Sequence, residues 1–84
     1  MNTISTKMTI EEQIKQAIES SVPESTAEVG GDGRHFEIRV VSPVFDGKRT
    51  LEKQRLVYAA LGDLMAGSNA PIHAIARLET LTPG

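Results

Sequence analysis

The sequence contains no cysteine and no tryptophan, and its only aromatic residues are one tyrosine and two phenylalanines. Without a thiol, disulfides, a cysteine nucleophile and a cysteine-ligated metal site built by this chain alone are all excluded. So small a number of rings supplies no stacking surface for unpaired bases. No apolar run approaches the length needed to cross a bilayer, and the opening "MNTISTKMTIEEQ" lacks the apolar centre of a secretory signal. The expectation is a soluble, cytoplasmic protein with no membrane partner. Charge of one sign is also lacking. Nine Lys and Arg stand against eleven Asp and Glu, for a net −2, so any contact with nucleic acid has to come from a local patch.

What is present is enough for one modest core. At 84 residues and 39% apolar content, the chain is expected to form a single domain over residues 1–84, with residues 1–8 as a flexible leader. Thr9 and Glu12 have capping-box spacing, and Ile10, Ile14, Ala17 and Ile18 follow at helical intervals, which predicts a helix over about residues 10–20. The short segment "STAEV" at 25–29 is weakly strand-like. It leads into "GGDG" at 30–33, whose glycines suit a hairpin turn. The following "HFEIRVVS" is the clearest strand: Phe36, Ile38 and Val40 fall on one face, His35, Glu37, Arg39 and Val41 on the other.

Thr50 is positioned to cap a second helix, with Leu51, Val57, Tyr58, Leu61, Leu64 and Met65 as its apolar stripe and Gly67 as its stop. A last strand is expected in "IHAIARLETL". Unbroken alternation sets Ile72, Ala74, Ala76 and Leu78 on one face and His73, Ile75, Arg77 and Glu79 on the other. The order helix, strand, strand, helix, strand describes an α+β domain, a three-stranded mixed sheet with the helices packed on one face. A hairpin makes the first two strands antiparallel, and a helical crossover makes the second and third parallel. His35 and His73 each open one of those parallel strands, so both are expected at one end of the sheet, on its open face.

Histidine offers a neutral imidazole ligand or a proton carrier. Two imidazoles do not complete a zinc site, and no zinc spacing is present even with Asp32 and Glu37 nearby. Ser42 and Ser68 sit in no nucleophile elbow, and "GGDG" precedes a strand where a phosphate loop would lead into a helix. The expectation is a protein without catalytic activity. Lys48, Arg49, Lys53 and Arg55 cluster at the start of the second helix, interrupted by Glu52. Chemistry alone leaves three readings of that cluster open: a solvated helix face, a surface for a protein partner, and a contact for nucleic acid.

The pieces "GDGRHFEIRVVSPVFDGKRTLEKQRLVYAAL", "PIHAIA" and "LTP" occur in this order, and the stretch from about residue 10 to 83 resembles the BolA-like family, in particular its short-loop bacterial branch. The resemblance implies a class II KH-like αββαβ fold. It also implies an adaptor that pairs with a monothiol glutaredoxin and, with glutathione, shares a bridging two-iron two-sulfur cluster in iron-sulfur trafficking or sensing. The alternative it carries is a DNA-binding transcriptional regulator of stress response and cell morphology, acting through Lys48, Arg49, Lys53 and Arg55.

For the cluster, histidine can replace thiolate on one iron. On the resemblance, the glutaredoxin cysteine and glutathione hold the other iron. The position matching the family's C-terminal ligand is His73 in "PIHAI". The second ligand comes from the hairpin, with His35 chosen and Asp32 as the alternative. No bound cofactor is expected for the isolated chain, which is expected to be a monomer. This sequence departs from many relatives in having Lys53-Gln54-Arg55 on the second helix. It also carries one more residue between His73 and Thr82-Pro83 than the common spacing.

Overall fold

The computed structural model describes residues 9–32, 35–66, 72 and 74–83. The expected flexible leader 1–8, the Gly67 stop and His73 lie outside the described residues. Helix α1 spans Ile10–Ser21 and begins as its sequence dictates. Thr9 Oγ1 accepts the Glu12 N–H at 3.1 Å, and the Glu12 carboxylate accepts the Thr9 N–H at 2.9 Å. Two otherwise orphaned amides of the first turn are thereby satisfied.

Strands β1 (Thr26–Gly31) and β2 (His35–Val41) form the antiparallel hairpin, and β3 (Ala74–Leu81) pairs parallel to β2. The sheet order is β1-β2-β3, the mixed arrangement that the crossover requires. Within β2 the alternation is clean: Phe36, Ile38 and Val40 are buried and His35, Glu37 and Arg39 are exposed. The buried set packs under Ile14 and Ile18 of α1 and under Val57 and Leu61, so one face of the sheet is covered by helices and the other is open.

The second helical segment departs from its prediction. Helix α2 runs Thr50–Ala60 and is followed by a separate turn of helix, α3 (Gly62–Met65). Thr50 is the first helical residue and not the cap; the capping position is Arg49, whose backbone N–H donates to the Glu52 carboxylate at 3.0 Å. Val57 and Leu61 are buried, whereas Leu51 and Tyr58 are exposed. At about 100° per residue, Leu51 lies roughly 120° around the helix from Val57, so a list of apolar letters overstated the width of the buried stripe.

Strand β3 carries the other correction. Its register runs His35↔Ala74 and Phe36↔Ile75, then slips to Glu37↔Arg77 and Ile38↔Leu78, leaving Ala76 as an inserted residue. This bulge takes up one extra residue within the stretch between His73 and Thr82-Pro83. Paired with buried Phe36, Ile75 belongs to the helix-covered face, and Ala74, paired with exposed His35, belongs to the open one, both contrary to unbroken alternation; the predicted face assignment holds from Arg77 onward.

Ser42, which the sequence offers only as a hydroxyl without a partner base, is wholly buried. Its Oγ donates to the Pro23 carbonyl at 2.6 Å and accepts the Val44 N–H at 3.2 Å, opening the 3₁₀ turn Pro43–Phe45. Ser42→Ala leaves both backbone groups without that partner. It is expected to lower stability by about 1–3 kcal/mol, read as a shift in the urea midpoint without a change in slope.

At Ala27 the outer edge of β1 is met by side chains of α1. Lys15 Nζ donates to the Ala27 carbonyl at 2.8 Å and to Glu19 at 2.6 Å, while Glu19 accepts the Ala27 N–H at 2.9 Å. Two helix side chains thus occupy backbone groups that an edge strand would otherwise present to another chain. The Lys15 ammonium, followed by the Ala27 amide, holds the Glu19 carboxyl below its ordinary value of 4.5. A carboxyl lowered in the folded state contributes stability that is complete above the unfolded-chain pKa and is lost as pH falls through the folded one. Glu19→Gln is therefore expected to reduce stability at pH 7 and to flatten the loss of stability below pH 4.5, measured by thermal melts across acid pH.

Candidate functional site

The hairpin sets the geometry of the first candidate site. Gly31 has φ +146°, outside the range that side chains readily adopt, and lets the chain fold back so that the Asp32 N–H meets the His35 carbonyl at 3.3 Å. Asp32 Oδ1 in turn accepts the His35 N–H at 2.8 Å, closing the end of the turn with a side chain. Asp32 Oδ2 lies 3.8 Å from His35 Nδ1. Both side chains are open to solvent, with His35 63% and Asp32 68% exposed.

His35 therefore opens β2 on the uncovered face, as expected. Its register partner across the parallel pair is Ala74, the residue that directly follows His73 in the chain. Among the described residues, no group of three or more His, Asp or Glu is arranged to hold a metal ion. Asp32 and His35 set a carboxylate and an imidazole side by side, both open to solvent, at the rim of the sheet. An imidazole whose Nδ1 faces a carboxylate keeps Nε2 for coordination, the usual way a metal-ligating histidine is oriented.

The basic cluster is less coherent in space than in sequence. Lys48, Arg49 and Arg55 are exposed and Lys53 is half-buried, and among the described residues none of the four forms an ion pair. Arg49 and Lys53 stand one turn apart. Lys53 and Arg55 are two residues apart on α2 and so point to nearly opposite sides of it. Arg55 instead shares its side with the exposed Leu51 and Tyr58.

A second group, missed in the sequence, occupies the open face of the sheet. Arg39 Nε reaches Glu79 at 3.0 Å across the parallel pair and its guanidinium lies 3.7 Å from Glu28 on β1. Arg77 approaches Glu79 at 3.3 Å along β3. The hydrogen bond from Arg39, then the charge of Arg77, lowers the Glu79 carboxyl below its ordinary value. The signal was in the alternation itself: Glu28, Arg39, Arg77 and Glu79 are the outward positions of three strands, and their signs are complementary once the register is known.

Comparison with known proteins bears on the family and the fold. The profile of a family described as BolA-like protein matches residues 6–84. The chain is 39% identical over 80 residues to Protein BOLA2 of Arabidopsis thaliana, covering 90% of this chain and 82% of that one. It is 38% identical over 80 residues to BolA-like protein 1 of Bos taurus, covering 88% of this chain but only 56% of that longer protein. Among solved structures, a bolA protein homologue from Coxiella burnetii superimposes with a TM-score of 0.76 at 44% identity, over 90% of this chain and 94% of the other.

Proposed function

Because the chain belongs to the BolA-like family, we propose that it is an adaptor, without a catalytic step of its own, that pairs with a monothiol glutaredoxin and completes the ligand set of a shared two-iron two-sulfur cluster. The observation that carries this reading is the rim of the sheet where β2 begins. There an exposed imidazole, with the Asp32 carboxylate 3.8 Å from its Nδ1, stands in register with the residue following His73. Histidine ligation at one iron suits a chain without thiols, because the remaining positions can come from a partner's cysteine and from glutathione. His73 and His35 are the proposed ligands, and Asp32 is proposed to fix the ring of His35 and not to bind iron itself. When bound, such a cluster supplies iron and sulfide for transfer or a redox-sensitive signal. The protein's own residues hold one side of it and leave the other to the partner.

Anaerobic co-expression with a monothiol glutaredoxin and glutathione tests the pairing. The expected result is a co-purified complex containing iron and acid-labile sulfide, with a visible circular dichroism spectrum distinct from that of the glutaredoxin alone. Separate elution of the two proteins, with iron confined to the glutaredoxin fractions, would refute it.

A further inference from the structure

The two edges of the sheet are treated differently. Lys15 and Glu19 occupy the outward backbone groups of Ala27 on β1, whereas no side chain among the described residues hydrogen-bonds to the backbone of β3. The Leu81 carbonyl accepts the Ser42 N–H at 2.9 Å and so turns toward β2. Backbone groups alternate along a strand, so those of Leu78 and Thr80 turn outward, away from the sheet. An edge of this kind is a template for another strand.

The open face says which strand fits. Reading across the sheet, one row runs Glu28, Arg39, Glu79, with signs minus, plus, minus; the adjacent row runs Gly30, Glu37, Arg77. We propose that the outer edge of β3 pairs antiparallel with the same edge of a second copy of this chain, in the register centred on Leu78. That register sets Arg77 opposite Glu79 of the second copy, and Glu79 opposite its Arg77. The row then continues as Glu28, Arg39, Glu79, Arg77, Glu37 through the junction, its signs alternating across both sheets. Registers centred on Arg77 or on Glu79 would instead set like charges face to face, which is unfavourable. The two-fold axis at Leu78 makes the contact isologous and closed, giving a six-stranded sheet and a dimer in place of the monomer expected from the sequence.

The test uses the full chain. Wild type is expected to show concentration-dependent dimerisation by sedimentation equilibrium, studied up to about 1 mM. Arg77→Glu, at an exposed residue, and Glu79→Arg, at a half-buried one, each reverse two symmetry-related pairs, and each alone is expected to weaken the dimer about tenfold or more. An equal mixture of the two variants restores opposite charges at both pairs, so a mixed dimer is expected by native mass spectrometry. As a second readout, amide exchange at Leu78 and Thr80 of the wild type is expected to slow as concentration rises. A wild type that stays monomeric, a dimer indifferent to both substitutions, or exchange rates independent of concentration would overturn the proposal.

Discussion

Gly31→Ala is expected to lower the thermal midpoint by roughly 10–30 °C, the equivalent of about 2–5 kcal/mol in a domain this small. A Cβ at this position would lie 2.3 Å from the His35 carbonyl oxygen and 3.0 Å from the Phe36 Cα, both backbone atoms that cannot turn aside. The φ of +146° adds conformational strain for any side chain. The carbonyl that would be struck is the one that receives the Asp32 N–H, so the same substitution disturbs the turn that orients His35. Gly30 provides the matched control: a Cβ there meets nothing within 4 Å, and Gly30→Ala is expected to be close to neutral. Melting of Gly31→Ala within a few degrees of wild type would mean that the hairpin backbone is not held as described.

Phe36→Ala is expected to cost about 3–5 kcal/mol, enough to leave a large unfolded fraction in a domain of marginal stability. The ring is fully buried beneath the helices, on the strand position between exposed His35 and exposed Glu37. His35→Ala, one residue away, removes a solvent-exposed ring and is expected to change stability by less than about 0.5 kcal/mol. Urea unfolding of the two variants side by side measures how cleanly one strand divides its residues between holding the fold and presenting a site. Comparable losses for both would contradict that division.

The legible parts of this chain are those where one local rule acts without competition. Strand β2 has nothing in it that breaks period two, and its three buried and three exposed residues fall where alternation puts them. The Thr9 and Glu12 cap is equally local. Helix α2 was misread because Leu51 and Tyr58 are apolar yet lie off the line joining Val57 to Leu61, and composition does not carry that angle. The bulge in β3 depends on the length of a neighbouring strand, which no pattern within β3 contains. Its trace is Ile75, the one large apolar residue out of phase with the rest.

The site followed the same division. The place of His35 on the open face was legible because the hairpin glycines mark the turn and the strand phase marks the face, whereas Asp32 became a candidate ligand only through the family resemblance. The pairing of Asp32 with the ring of His35 emerges only when the turn is folded. The charge rows on the open face, like the clamp of Lys15 and Glu19 on Ala27, required the register between segments far apart in the chain. Long-range register was the missing quantity in each case.

The measurement closest to the central claim is the iron content and visible circular dichroism of the glutaredoxin complex prepared with wild type, His73→Ala, His35→Ala and Asp32→Asn. Loss of the mixed-complex spectrum is expected for either histidine variant, with a milder loss of about 10–100-fold in cluster affinity for Asp32→Asn. Full iron content and an unaltered spectrum in both histidine variants would contradict the claim that this rim of the sheet holds one side of a shared cluster.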